Sequence, residues 1–302
     1  MEKIAFLFPG QGAQFVGMGR GLYDTLPAVK ELFDEADALL GFSLSKICFE
    51  GPEEELNSTV VSQPAIFVTS LAALECLKES RPEVVANCGA AAGLSLGEYT
   101  ALTFAGVMEF ADALRVVQKR GQAMQAAADV TAGGMVSLLG LDESGVREMC
   151  EKVRGADILE LANLLCPGNN VVSGTKTACE RLVEEAENSG SARAVPLAVA
   201  GAFHTEIMKP ADQVLEEALR EVSFRTPRIP VVSNVDAKAH MDPDEIRKVL
   251  VRQVLSPVMW EDSVRNLMSE GYNCFYEIGP GRVLRGLLKR IDRKMPVQNV
   301  EV

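Results

Sequence analysis

Hydrophobic positions follow two patterns along this chain. One is the short, unbroken apolar run. Ile4-Ala5-Phe6-Leu7-Phe8 comes first and is stopped by Pro9 and a glycine-rich stretch that begins Gly10-Gln11-Gly12. A run of that length and purity suits a parallel strand buried on both faces. The other pattern has the helical period. Residues 28–40 and 62–79 space their apolar positions as amphipathic helices do, and Val107 to Ala128 reads as a long helix carrying Arg115, Lys119 and Arg120.

From about residue 131 the texture changes. Gly134–Leu139, Ile158–Leu161, Val171–Ser173 and Ala192–Val195 are short strand candidates, with helical patterns at 142–153 and 175–188 between them. That order, β-α-β-β-α-β, predicts a ferredoxin-like unit. It interrupts a different alternation, which resumes with a helix at 205–221, a strand at 229–234, helices over 244–269, a strand at 273–278 and a basic terminal helix. Strands and helices alternating in the flanks predict a mostly parallel sheet covered by helices on both faces.

Composition narrows the function classes. The chain has 302 residues, 47% hydrophobic and 24% charged, enough for one large domain or two. A formal net charge of -12 disfavours bulk nucleic-acid binding and attachment to anionic membranes. Seven cysteines without a C-x-x-C pair predict reduced thiols and a cytoplasmic location. Met1 to Phe8 is too short for a signal-peptide core, and no apolar run is read as approaching membrane-span length. The glycine-rich loop fails the dinucleotide spacing, because Phe15 and Leu22 stand where a third glycine belongs, and there is no P-loop lysine. Two histidines exclude a multi-histidine metal site. Neither metal nor cofactor is expected.

The chemistry gathers around Gly93-Leu94-Ser95-Leu96-Gly97. Small-x-nucleophile-x-small is the pattern of a strand–turn–helix elbow, in which the serine hydroxyl stands clear of the sheet edge and side chains two residues to either side would collide with the turn. The preceding run Cys88–Ala92 is small and apolar. A serine needs a base within hydrogen-bond reach. His204 follows a strand-like run and precedes a helix, which favours it. His240 lies in a polar segment, Asp236 to Pro243, and reads as a solvated loop histidine. The order serine then histidine fits an α/β-hydrolase-like scaffold. The expected architecture is therefore α/β, with an α/β-hydrolase-like parallel-sheet core from residues 1–129 and 199–302 and an inserted ferredoxin-like subdomain at 130–198. No acid that would orient the imidazole can be singled out.

Several stretches, in order, resemble one family. Phe8-Pro9-Gly10-Gln11-Gly12-Ala13-Gln14, Gly93-Leu94-Ser95-Leu96-Gly97-Glu98-Tyr99, Gln118-Lys119-Arg120-Gly121, Phe203-His204, Val251 to Val258 and Glu277-Ile278-Gly279-Pro280-Gly281 are similar to malonyl-CoA:acyl-carrier-protein transacylases. The resemblance implies that Ser95 attacks malonyl-CoA with His204 as base, and that the malonyl ester then passes to the phosphopantetheine thiol of acyl carrier protein in fatty acid synthesis. It implies an oxyanion hole from the main-chain N–H groups of Leu96 and Gln11, and a main-chain carbonyl at Gln253 in place of the orienting acid. It implies that Arg120 pairs with the malonyl carboxylate, a role suited to the planar guanidinium fork. A phenylalanine at 203 goes with malonyl over methylmalonyl units. The expected enzyme is a monomer whose partners are malonyl-CoA and acyl carrier protein.

Three positions depart from the family pattern. Leu94 stands where histidine is usual, Asn169 where glutamine is common, and Leu165 where a second asparagine often follows the Asn163 position. A discrete acyltransferase of a polyketide synthase would carry nearly the same motifs. A serine esterase would not need Arg120, and a carrier-binding scaffold with a dead site would not need both Ser95 and His204. Arg282, Arg285, Lys289 and Arg293 fall at helical spacing and predict a basic stripe on the terminal helix.

Overall fold

In the computed structural model, which describes residues 2–300 and 302, the first apolar run forms β1 (Ile4–Phe8), buried at every position. Met1 and Glu301, which fall within the expected segments 1–129 and 199–302, lie outside the described residues. With Cys88–Gly93 (β2), Val231–Val232 (β7), Ala239–His240 (β8), Cys274–Ile278 (β10) and Val297–Val300 (β11), β1 builds a six-stranded sheet in the order β11-β10-β1-β2-β7-β8. Neighbours are parallel except β7 and β8. The alanines of β2 have poor strand propensity, yet Ala90, Ala91 and Ala92 are fully buried, and small side chains suit so crowded a layer.

A second sheet has the order β6-β3-β5-β4-β9, from Gly133–Leu139 (β3), Leu159–Cys166 (β4), Asn169–Thr175 (β5), Arg193–Pro196 (β6) and Val258–Met259 (β9). The helices Glu143–Arg154 and Lys176–Ser189 are capped by the side chains of Asp142 and Thr175 and cover one face. Alternation does the rest. Val136, Leu138 and Val172 face these helices, while Met135 and Val171 join the main core. β9 comes from outside the 130–198 segment and pairs with β4 in parallel, Asn163 opposite Val258. It interrupts the stretch 244–269, which divides into helices Pro243–Gln253 and Trp260–Ser269.

The second predicted helix differs in kind from the expectation. Thr59–Ser80 is not amphipathic; it is buried nearly all round among the other helices. It also corrects the reading of apolar runs. By length and composition this 22-residue helix could cross a membrane, but 83% of its most apolar window is packed inside the protein. The long helix carrying Arg120 runs over Phe110–Val130, after a shorter one at Leu96–Phe104.

The terminal helix is shorter than the charge spacing suggested. It spans Val283–Ile291, so Arg282 is its N-cap and Arg293 and Lys294 lie past its end. Lys289 Nζ donates to the carbonyls of Arg293 and Met295. The stripe thus reduces to Arg285 and Lys289 on the helix itself, and Lys289 is engaged in closing the turn that leads to β11.

Candidate active site

β2 ends at Gly93 and the helix Leu96–Phe104 starts two residues after Leu94, so the chain must reverse within the elbow. A Cβ added at Gly93 would lie 1.9 Å from the Gly97 carbonyl carbon, and one at Gly97 would lie 2.1 Å from Phe8 O. No side chain fits either place. Ser95 sits between them at φ 50°, ψ −100°, a region that costs a non-glycine residue about 1–3 kcal/mol. Asn234 helps hold it there. Its Oδ1 accepts from Ser95 N–H at 2.6 Å and its Nδ2 donates to Gly93 O at 2.7 Å, clasping the turn from both sides.

His204 is 4% exposed and also has a positive φ, 63°. Its Nε2 is 2.9 Å from Ser95 Oγ, and its Nδ1 is 2.9 Å from Gln253 O. A carbonyl only accepts, so Nδ1 carries the proton and Nε2 offers its lone pair to the serine hydroxyl. Burial, and then the positive charge of Arg120, push the imidazole pKa down to about 4, so it is neutral at pH 7.

Arg120 is 2% exposed. It donates to Gln63 Oε1 at 2.7 Å, to Gln253 Oε1 at 3.0 Å and to Ser95 Oγ at 2.9 Å. Burial lowers its pKa, yet an arginine stays charged at physiological pH. Gln253, the last residue of its helix, is fully buried and links everything: its carbonyl takes the imidazole, its Oε1 takes the guanidinium, and its Nε2 donates to Ser95 O at 3.0 Å and to Glu98 Oε2 at 2.6 Å. Glu98 Oε2 also accepts from Asn234 N–H at 3.0 Å. Burial pushes this carboxyl up to about 7 against the hydrogen bonds that favour its charged form.

A cavity of about 390 Å³ opens over Ser95. Gln11, Leu96, Arg120, Phe203 and His204 all line it, with Met124, Asn163 and the Leu94 that replaces histidine. Gln253 lies behind this wall. Leu96 begins a helix, where the first N–H groups lack intrahelical partners. Asn163 contributes a buried Oδ1 with no hydrogen-bond partner among the described residues. The other departures lie away from the nucleophile: Asn169 Oδ1 accepts from Ser137 Oγ within the second sheet, and Leu165 packs against the core. A second cavity of the same volume is lined by Lys78, Pro82, Phe104, Arg228 and Cys88, whose thiol burial pushes up to about 12 and so keeps protonated.

Three polar residues of this network escaped the sequence reading: Gln63, Glu98 and Asn234. For the first two a signal existed, since a glutamine and a glutamate inside otherwise apolar helical runs ask for buried partners. Asn234 follows β7 in an unremarkable loop and gave none. His240, read as solvated, is instead half-buried on β8 with Nε2 at 3.1 and 3.2 Å from the Asp236 carboxylate.

The family profile described as "Acyl transferase domain" matches residues 5–302. Among curated proteins, the malonyl CoA-acyl carrier protein transacylase of Bacillus subtilis strain 168 is 46% identical over 298 residues, 98% of this chain and 92% of that one. Among solved structures, an acyl-carrier-protein-S-malonyltransferase from Bartonella henselae superposes with a TM-score of 0.95 at 39% identity, covering 100% of this chain and 96% of that one. A malonyl-transacylase solved in complex with its type II PKS acyl-carrier protein gives 0.91 at 39% identity, over 99% and 95% of the two chains.

Proposed function

The chain belongs to the acyl transferase family, as a malonyl-CoA–acyl carrier protein transacylase, and we propose that Ser95, His204 and Arg120 are the side chains with which it works. It moves a malonyl group from malonyl-CoA to the phosphopantetheine thiol of acyl carrier protein for fatty acid synthesis. One observation carries the assignment of roles: a single hydroxyl, Ser95 Oγ, lies 2.9 Å from a neutral imidazole nitrogen and 2.9 Å from a buried guanidinium.

Ser95 Oγ attacks the thioester carbonyl carbon while its proton passes to His204 Nε2. The imidazolium that forms keeps its Nδ1–H on Gln253 O, which fixes its orientation without an acid. The oxyanion is received by the N–H groups of Leu96 and Gln11. Collapse of the tetrahedral adduct breaks the carbon–sulfur bond, and the leaving CoA sulfur takes the proton from Nε2. The carrier thiol then gives its proton to the same nitrogen and attacks the malonyl ester, and Ser95 recovers its proton as it leaves. Arg120 receives the malonyl carboxylate, releasing Ser95 Oγ as it does so. Phe203, 5% exposed and facing the cavity, takes up the volume that a methyl branch would need.

The two sheets support division into an α/β-hydrolase-like core, 1–129 and 199–302, and a ferredoxin-like subdomain, 130–198. A cytoplasmic monomer that engages neither nucleic acid nor membrane fits the charge of -12. The test is intact-protein mass spectrometry after mixing with malonyl-CoA, acetyl-CoA or methylmalonyl-CoA. The wild type gains a malonyl mass and gains the others less readily; Ser95→Ala gains none. A covalent malonyl adduct on the alanine variant would remove Ser95 from the mechanism.

A further inference from the structure

Arg120 is held in place without being neutralised. Among the described residues its hydrogen-bond acceptors are Gln63 Oε1, Gln253 Oε1 and Ser95 Oγ, all uncharged oxygens. Tyr99, whose ring centroid lies 5.3 Å from the guanidinium carbon, is neutral as well, because burial keeps its hydroxyl protonated. The acid of this network, Glu98, is reached only through the Gln253 amide, which donates to Glu98 with one end and accepts from Arg120 with the other. A buried cation without a counter-ion is costly, and a carboxylate arriving beside it relieves that cost.

Gln63 is the closest of the three acceptors and the one with no other task at the site. It is fully buried in the helix Thr59–Ser80, and among the described residues its Nε2 reaches only Met124 Sδ, a weak acceptor, at 3.5 Å. The backbone brings it to Arg120 because Gly121 lets two helices close up: a Cβ there would lie 2.8 Å from Thr59 O, one turn before Gln63. A glutamate has the same shape and reach. It would give Arg120 a permanent internal counter-ion.

We propose that Gln63 is a specificity-determining residue, whose neutral oxygen fixes the Arg120 guanidinium while leaving its positive charge for the carboxylate of the incoming acyl group. The proposal rests on Arg120 being the partner of the malonyl carboxylate. A neutral acyl group makes no demand on that charge, so exchanging the amide for a carboxylate penalises malonyl and spares acetyl.

The test compares rates of acyl-enzyme formation from malonyl-CoA and acetyl-CoA in Gln63→Glu, Gln63→Leu and Arg120→Ala. Gln63→Glu is expected to lower the malonyl-to-acetyl ratio by roughly 30-fold or more, the scale set by a buried charge pair. Gln63→Leu removes the acceptor without adding charge and is expected to keep the ratio within about five-fold of wild type. The proposal is overturned if Gln63→Glu leaves the ratio unmoved, or if Gln63→Leu collapses it as far as the glutamate does, which would make the hydrogen bond and not its neutrality decisive. Should the glutamate variant not fold, Gln63→Leu is read against wild type: a ratio held within about five-fold supports the proposal, and one that falls roughly 30-fold overturns it. An equal fall for both substrates in Arg120→Ala would instead refute the underlying role of Arg120, whatever Gln63 does.

Discussion

His204 and His240 occupy two regions with opposite surroundings. His240 has the partner usually sought beside a catalytic histidine, the Asp236 carboxylate, on a half-exposed two-residue strand. His204 has a main-chain carbonyl instead, in a buried segment with a strained backbone. Yet it is His204 that touches a hydroxyl. A carbonyl fixes the tautomer by accepting from Nδ1–H, as a carboxylate would, and it does so without adding negative charge beside the arginine that we propose for the substrate carboxylate. The presence of an acid is therefore a poor guide to which histidine works; the identity of what lies on the far nitrogen is the better one.

Substitutions can break that comparison. His204→Ala should have the largest effect, about 10²–10⁴-fold on both acylation and transfer to the carrier thiol, because one base serves both halves. Measuring the two half-reactions separately checks it, and a loss confined to one half would contradict a shared base. Glu98→Ala comes next. It withdraws the acceptor that holds Gln253 and Asn234, so we expect a roughly 10- to 100-fold loss of acylation with malonyl-CoA and acetyl-CoA alike, about 1.4–2.8 kcal/mol. Glu98→Gln keeps an oxygen for both donors and should stay within about five-fold of wild type.

pH sharpens the contrast without touching the catalytic pair. Glu98 has a folded pKa raised to about 7 from 4.5, so its contribution to stability is fully present below about 4.5 and is lost as pH rises through 7. The loss is roughly 3 kcal/mol at most. Thermal melting of wild type against Glu98→Gln should show the variant gaining relative stability between about pH 4.5 and 7, with the difference level above that; parallel curves throughout would mean that folding does not raise the Glu98 pKa. His204 carries the opposite sign. Its depressed pKa costs stability only as pH falls below its unfolded value, and its capacity as a base should persist down to about 4, where acylation should fail. The smallest effect belongs to His240→Ala, which should leave both half-reactions within about two-fold. A large loss there would invert the comparison.

Much of the site was legible in the sequence because its constraints are local. Gly93 and Gly97 are dictated by a single turn, and the two histidines left a short choice. Gln63 and Asn234 were not legible, since their partners, Arg120 and the elbow, lie far along the chain and meet them only after helices and strands have packed. Three of the shortest strands had no legible signal, although β6 and β7, equally short, coincide with the runs at 192–195 and 229–234. β8, β9 and β11 are too short to show a period, and β9 was absorbed into the helical texture on either side. The terminal basic stripe is shorter than its charge spacing predicts, because the helix stops at Ile291, before Arg293. The spacing at 62–79 predicts an amphipathic helix, while the fold buries the helix Thr59–Ser80 nearly all round.

β9 makes the division of the chain less clean than its sequence order implies. Val258 and Met259 pair with Asn163 and Leu164, and they follow closely on the residue whose carbonyl steers the imidazole. The second sheet therefore anchors part of the catalytic geometry. A chimaera that swapped residues 130–198 between relatives as a cassette would sever one strand from its sheet and slacken Gln253; carrying 254–259 along with the cassette should avoid this. In hydrogen exchange, the amides of β9 should open together with those of β4 and β5, not with the helices on either side of them.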